Sequence, residues 1–252
     1  MDCPLIRNAH ETHDFPEGKP TMLIDATARL TAAPRVHAAV LPVLILLTGC
    51  LLSGAAPSPS APEARTIVFF GDSLTAGLGL DDPSSEAYPA LIQEKIDAAG
   101  LGWRTVNAGL SGETTSGGLR RVDWILRQPV DIFVLALGAN DGLRGISPEV
   151  SSANLRQIID RVRAKNPGAG IVIAGMQMPP AMGEDYTRAF SGMFPAVAEE
   201  KGAALIPFLL EGVGGRLEYN AGDRIHPNAA GHALVAKTVW KALRPLLEKP
   251  GT

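Results

Sequence analysis

Thr66-Ile67-Val68-Phe69-Phe70-Gly71-Asp72-Ser73-Leu74 runs an apolar segment into an abrupt polar stop. Thr66 to Phe70 reads as a buried strand, and a helix-like segment follows Gly-Asp-Ser after a short loop. This arrangement places the Ser73 hydroxyl at the C-terminal end of a strand, where open α/β sheets keep their chemistry.

Working outward, strand-like and helix-like segments alternate. Strands are expected at Thr66–Phe70, Thr105–Ala108, Ile132–Leu137, Ile171–Met176 and Ala204–Pro207. Helices are expected at Ala87–Ala99, Thr115–Gln128, Ser151–Lys165, Tyr186–Lys201 and Ala229–Leu247. Continuous apolar strands suggest a sheet covered on both faces, and regular alternation suggests a parallel one. The expected fold class is therefore α/β, a three-layer α/β/α sandwich around a five-stranded parallel sheet. The pattern alone fixes no strand order. The body, residues 66–248, reads as one domain.

The 252 residues are 46% hydrophobic and 19% charged, which suits a globular protein with a substantial core. A formal net charge of −3 gives no electrostatic basis for binding nucleic acid. The two cysteines, Cys3 and Cys50, both precede the body, so neither a disulfide framework nor a cysteine metal cluster is expected there.

Residues 1–21 are polar and aperiodic and read as a non-native or disordered extension, with Met22 as the expected start. Residues 22–49 have the form of an export signal: Arg29 and Arg35, then the apolar Ala38–Leu47. Leu47-Thr48-Gly49-Cys50 resembles the lipobox of bacterial lipoproteins, in which Cys50 becomes the lipidated first residue. An uncleaved anchor and an ordinary signal peptide are the rival readings. Pro42, Gly49, Ser53 and Gly54 weaken a stable membrane span, which needs about 20 apolar residues. All three readings export the body. The expectation is a periplasmic or cell-envelope lipoprotein held to the membrane through Cys50, or else a soluble secreted protein. Residues 50–65 read as a Pro/Ser/Ala linker.

Polar clusters follow successive strands. Ser73 follows the first, Asn107-Ala108-Gly109-Leu110-Ser111-Gly112-Glu113-Thr114 the second, and Gly138-Ala139-Asn140-Asp141 the third. Asp223-Arg224-Ile225-His226-Pro227 precedes the last helix. Singly, each reads as a turn, a cap or a polar surface. Together they supply an acyl-transfer site. A serine hydroxyl is a poor nucleophile at neutral pH and needs a base such as His226. Asp223 can orient that ring and stabilise its cation. The backbone N–H groups of Ser73 and Gly112 and the side-chain amide of Asn140 can meet an oxyanion.

These four blocks resemble the SGNH (GDSL) hydrolase family, specifically its branch of bacterial acyl-CoA thioesterases, lysophospholipases and arylesterases. The resemblance spans about Thr66 to Leu247. It implies a flavodoxin-like sheet of order 2-1-3-4-5, a shallow open site, hydrolysis of esters and thioesters, and no metal or other cofactor. It implies Ser73 as nucleophile, Asp223 and His226 as acid and base, and Ser73, Gly112 and Asn140 as the oxyanion hole. Ala139 stands where close relatives often have a second glycine. Gln177-Met178-Pro179-Pro180-Ala181-Met182-Gly183 is similar, not identical, to the substrate-side loop, so Met178, Pro179 and Met182 are candidate substrate contacts.

The expected partner is a small-molecule or lipid ester, and the expected state is a monomer. Acyl thioesters are the alternative main substrate, and a metal-dependent phosphoesterase is a distant second. An α/β-hydrolase elbow is excluded, because Thr75 occupies the second glycine position of G-x-S-x-G. Glu113, Asp141 and Arg144 read as capping or loop-pairing groups, His232 as a packing or surface residue, and Trp103, Trp124 and Trp240 as core anchors.

Overall fold

The structure is a computed structural model that describes residues 64–248. The expected leader, Cys50 and most of the linker lie outside the described residues. In chain order the elements are β1 (Arg65–Gly71), α1 (Ser73–Ala76), α2 (Pro83–Glu86), α3 (Tyr88–Ala98), β2 (Trp103–Gly109), α4 (Thr115–Ile125) and β3 (Ile132–Ala136). They continue with α5 (Ala139–Leu143), α6 (Pro148–Lys165), β4 (Gly170–Ala174), α7 (Glu184–Glu200), β5 (Ala204–Ile206) and α8 (Ala229–Leu247). Among the described residues, no helix is long and apolar enough to cross a membrane.

The five strands are parallel in the order β2-β1-β3-β4-β5. The chain leaves β1 to build β2 on one side and then crosses back to build β3 on the other. The border of β1 and β3 is thus a topological switch point, where such sheets open a crevice at their C-terminal ends.

Alternation along β1 serves two helical layers. Phe69 meets Tyr88 of α3 edge-on, with ring centroids 5.4 Å apart. Its neighbour Phe70 points the other way, onto Phe133 and beneath Arg121 of α4. Helices α3 and α8 pack together on one face, and α4, α6 and α7 pack in series on the other. Ile67, Phe69, Phe70, Phe133, Val134 and Leu135 are fully buried. Burial of each such side chain contributes about 1.5–3 kcal/mol, and their run explains why β1 and β3 form the centre of the sheet.

Every expected strand and long helix is present, with ends shifted by up to three residues. The short helices α1, α2 and α5 are additional, being too brief for an apolar period to reveal. Strand β2 departs from the expectation of strands covered on both faces. It is an edge strand with exposed Arg104 and Asn107. Trp124 also departs: it is 65% exposed on α4, whereas Trp103 is buried and Trp240 packs partly buried against the core.

Candidate active site

The register brings the polar clusters together. Gly71 pairs with Gly109 on one side and Ala136 on the other, so three strands end level. The segments that follow carry Ser73, Gly112 and Asn140. Close packing holds this edge. A Cβ on Gly109 would lie 2.3 Å from the Ala76 nitrogen, and one on Gly71 would lie 2.8 Å from the Ala136 oxygen. Only glycine lets α1 settle across the strand ends there. Asn107 ties the same helix down, its Nδ2 donating to the Thr75 carbonyl at 2.8 Å.

Ser73 is the first residue of α1 and only 8% exposed. Asp72 caps that helix, its Oδ1 accepting from the Leu74 N–H at 3.0 Å. The last loop supplies the other groups. Asp223 Oδ1 accepts from the N–H groups of Ile225 at 2.9 Å and His226 at 3.0 Å, folding the segment into an Asx turn. This leaves Oδ2 2.5 Å from His226 Nδ1. His226 Nε2 lies 2.9 Å from Ser73 Oγ.

Charge fixes the direction of these bonds. The hydrogen bond from the His226 ring, followed by the two N–H groups, lowers Asp223 to about 2. An ionised carboxylate only accepts, so Nδ1 carries the ring proton and donates to Asp223. Nε2 is then the acceptor for the Ser73 hydroxyl. The side chain of Asp223 is 46% exposed and that of His226 is 18% exposed, so the pair is reachable from solvent.

Gly112 has φ +78°, the left-handed region that favours glycine. Arg144 donates to its carbonyl at 3.0 Å. Among the described residues, the Ser73 and Gly112 backbone N–H groups donate to no protein acceptor. The Asn140 amide donates weakly to Asp72 Oδ2 at 3.4 Å, leaving its second hydrogen free. Three donors are therefore uncommitted at the strand ends. Among the described residues, no group of three or more His, Cys, Asp or Glu could hold a metal ion.

Two networks brace this frame. They bear out the capping and loop-pairing readings of Asp141 and Glu113, though not the identity of their partners. Asp141, fully buried, accepts from the Thr115 N–H at 2.8 Å, the Thr115 hydroxyl at 2.5 Å and the Ser151 hydroxyl at 3.1 Å. It thereby joins α5, α4 and α6 directly behind Asn140. Glu113 pairs with Arg121, which also donates to the Ala108 carbonyl at 2.8 Å. Asp72 caps α1 as a Gly-Asp-Ser turn leads one to expect, but its burial carries no signal in the sequence. It is 1% exposed, and burial raises its carboxyl to about 6 against the Leu74 N–H, the His226 charge and the Asn140 amide. His232 is a packing residue: it is buried, stacked on Tyr88, and its Nδ1 accepts from the Tyr88 N–H at 3.2 Å.

A groove of about 500 Å³ opens beside Ser73, Asn140 and His226. Its walls are mostly apolar, with Leu74, Leu143, Met176, Met178, Phe208 and Leu210 among them. Of the three expected substrate contacts, Met178 and Pro179 line it. Met182 does not: it sits on the turn Pro180–Met182 and packs against the core. Phe208, Leu210 and Ile225 were not anticipated, because apolar residues in loops carry no periodic signal.

Comparison with known proteins follows the same lines. The GDSL-like lipase/acylhydrolase family profile matches residues 69–234. Esterase TesA of Pseudomonas aeruginosa is 40% identical over 204 residues, covering 81% of this chain and 98% of the relative. Thioesterase 1/protease 1/lysophospholipase L1 of Escherichia coli K12 is 37% identical over 188 residues, covering 74% of this chain and 87% of the relative. The crystal structure of TesA superposes with a TM-score of 0.69 at 40% identity, covering 72% of this chain and 99% of that one.

Proposed function

Because this chain belongs to the GDSL-like lipase/acylhydrolase family, we propose that it is a serine hydrolase of carboxylic esters, of the arylesterase and lysophospholipase kind, with acyl thioesters within reach of the same chemistry. The observation that carries the proposal is the continuous chain from Asp223 through His226 to the Ser73 hydroxyl, with contacts of 2.5 and 2.9 Å.

The steps follow from that geometry. Ser73 Oγ attacks the acyl carbon while its proton passes to His226 Nε2. The imidazolium so formed is stabilised by the ionised Asp223. The carbonyl oxygen becomes an oxyanion and is met by the N–H groups of Ser73 and Gly112 and by the Asn140 amide. Collapse of the intermediate breaks the ester C–O bond, and His226 returns the proton to the departing alcohol. Water, deprotonated by His226, then attacks the acyl-enzyme and releases the acid and free Ser73. The apolar groove receives the acyl chain, with Met178 and Pro179 on its wall.

A fluorophosphonate probe tests this reading. Labelling is expected in the native protein and lost in Ser73→Ala. Labelling that persists in Ser73→Ala, or none in the native chain, overturns it. Ser73→Ala and His226→Ala should each remove most ester turnover while the melting temperature moves little.

The Leu47–Cys50 sequence supports an exported protein anchored by lipid at Cys50. Such a location separates the enzyme from cytoplasmic acyl-CoA and favours lysophospholipids or environmental esters. Radiolabelled palmitate should be incorporated by the native chain and not by Cys50→Ser. Equal incorporation would remove the anchor.

A further inference from the structure

Arg224 stands out in the Asp223–His226 turn. Its φ of +60° makes it the one non-glycine residue with positive φ among the described residues. A left-handed backbone costs an ordinary side chain about 1 kcal/mol or more, and glycine would adopt it freely. The turn is nonetheless held there by the Asp223 Asx bonds and by the Arg224 N–H donating to the Ala221 carbonyl at 2.9 Å.

The side chain is as informative as the backbone. Arg224 lines the groove that holds Ser73 and His226, and among the described residues it is the only lining residue with a fixed charge. Among the described residues its guanidinium makes no ion pair and no hydrogen bond. Other exposed arginines do pair, such as Arg188 with Glu184 and Arg216 with Glu218. The neighbouring Asp223 carboxylate accepts from His226 and the turn N–H groups and makes no contact with the guanidinium. The groove therefore joins an apolar wall to one uncommitted cation, beside the histidine that protonates the leaving group.

From this we infer that Arg224 is a specificity-determining residue, selecting esters whose leaving alcohol carries a phosphate. The substrate class is a monoacyl phosphate amphiphile, with the acyl chain against Met178 and Phe208 and the phosphate on the guanidinium. Arginine suits this task because its planar fork offers paired donors to phosphate oxygens and stays charged at every working pH. The inference rests on the ester-hydrolase reading, whose lysophospholipids are such esters, and adds the residue that selects them.

The test compares two substrates with the same short acyl chain, monoacylglycerol and monoacylglycerol phosphate, both kept below micelle formation. The readout is the ratio of kcat/KM for the phosphate ester to that for the neutral ester. Arg224→Gln should lower this ratio about three- to tenfold, the range expected between an exposed ion pair and a charge-assisted hydrogen bond. Arg224→Lys should retain part of it. In the native enzyme the ratio should also shrink as salt rises from about 0.05 to about 0.5 M, because an exposed charge is screened. Glutamine makes the same backbone demand as arginine, so the Gln variant isolates the charge. An unchanged ratio in Arg224→Gln overturns the inference while leaving the ester reading intact. Failure of the native enzyme on both substrates overturns the ester reading, and this inference with it.

Discussion

Replacing Asp72 by asparagine should make the protein more stable at neutral pH and less active. Asp72 is buried, and burial raises its carboxyl from the usual 3.8 to about 6. Between those values the unfolded chain has released a proton that the folded chain retains, so rising pH favours unfolding. The contribution is fully present below about pH 4 and lost as pH passes about 6. A difference of about two pKa units corresponds to about 3 kcal/mol at 1.36 kcal/mol per unit. The amide of Asp72→Asn never ionises, and its oxygen can still accept from Leu74. Stability of the variant minus that of the native protein should therefore grow by about 3 kcal/mol between about pH 4 and pH 7. Urea unfolding of both proteins across that range measures it, and groups common to both cancel. Activity should move the other way. An amide NH₂ in place of Oδ2 faces the Asn140 amide donor to donor, so Asn140 loses its acceptor and kcat falls. A stability difference that stays flat with pH would refute the reasoning, since the buried charge would then cost nothing.

Further outcomes follow from single contacts. Asn140→Ala should lower kcat about 10²–10³-fold with little change in KM, as loss of one oxyanion donor does elsewhere; a change confined to KM, seen in steady-state kinetics, would remove its oxyanion role. Gly142→Ala would place a Cβ 2.3 Å from Met178 Sδ. That flexible side chain lines the groove and is expected to yield into it, so kcat/KM across p-nitrophenyl esters should shift toward shorter acyl chains. Gly109→Ala meets backbone instead, 2.3 Å from the Ala76 nitrogen, so a large loss of melting temperature is expected along with lost activity.

Much of this architecture was legible because it is written in period and punctuation. Thr66–Phe70 and Ile132–Ala136 are uninterrupted apolar runs, and such runs name central strands whatever surrounds them. The site motifs were legible because each follows a strand end, and Asp223 and His226 lie close enough in sequence to form their contact within one turn. What escaped depends on tertiary neighbours. Asp141 resembles any loop carboxylate until Thr115 and Ser151 arrive from two other helices. Trp124 looks like a core residue in the sequence, yet its position on α4 turns it outward. Met182 shares its loop with Met178, but the turn at Pro180–Met182 directs it to the core.

Asp72 shows why the most telling feature is also the least legible. In the sequence it is a helix cap, and a cap contributes about 1 kcal/mol. In the fold the same carboxylate is buried at a cost of about 3 kcal/mol once ionised, so capping alone cannot account for it: asparagine would cap as well and remain neutral. That cost remains after the Leu74, His226 and Asn140 contacts are counted, so what the charge returns lies in the reaction and not in stability. The carboxylate faces the Asn140 amide on one side and feels the charge of His226 on the other. An ionised Asp72 thus favours the imidazolium that forms as Ser73 gives up its proton, while holding the donor that meets the oxyanion. Stability is lost at neutral pH in exchange for charge complementarity at the moment of reaction, which is why the stability and the activity of Asp72→Asn should change in opposite directions.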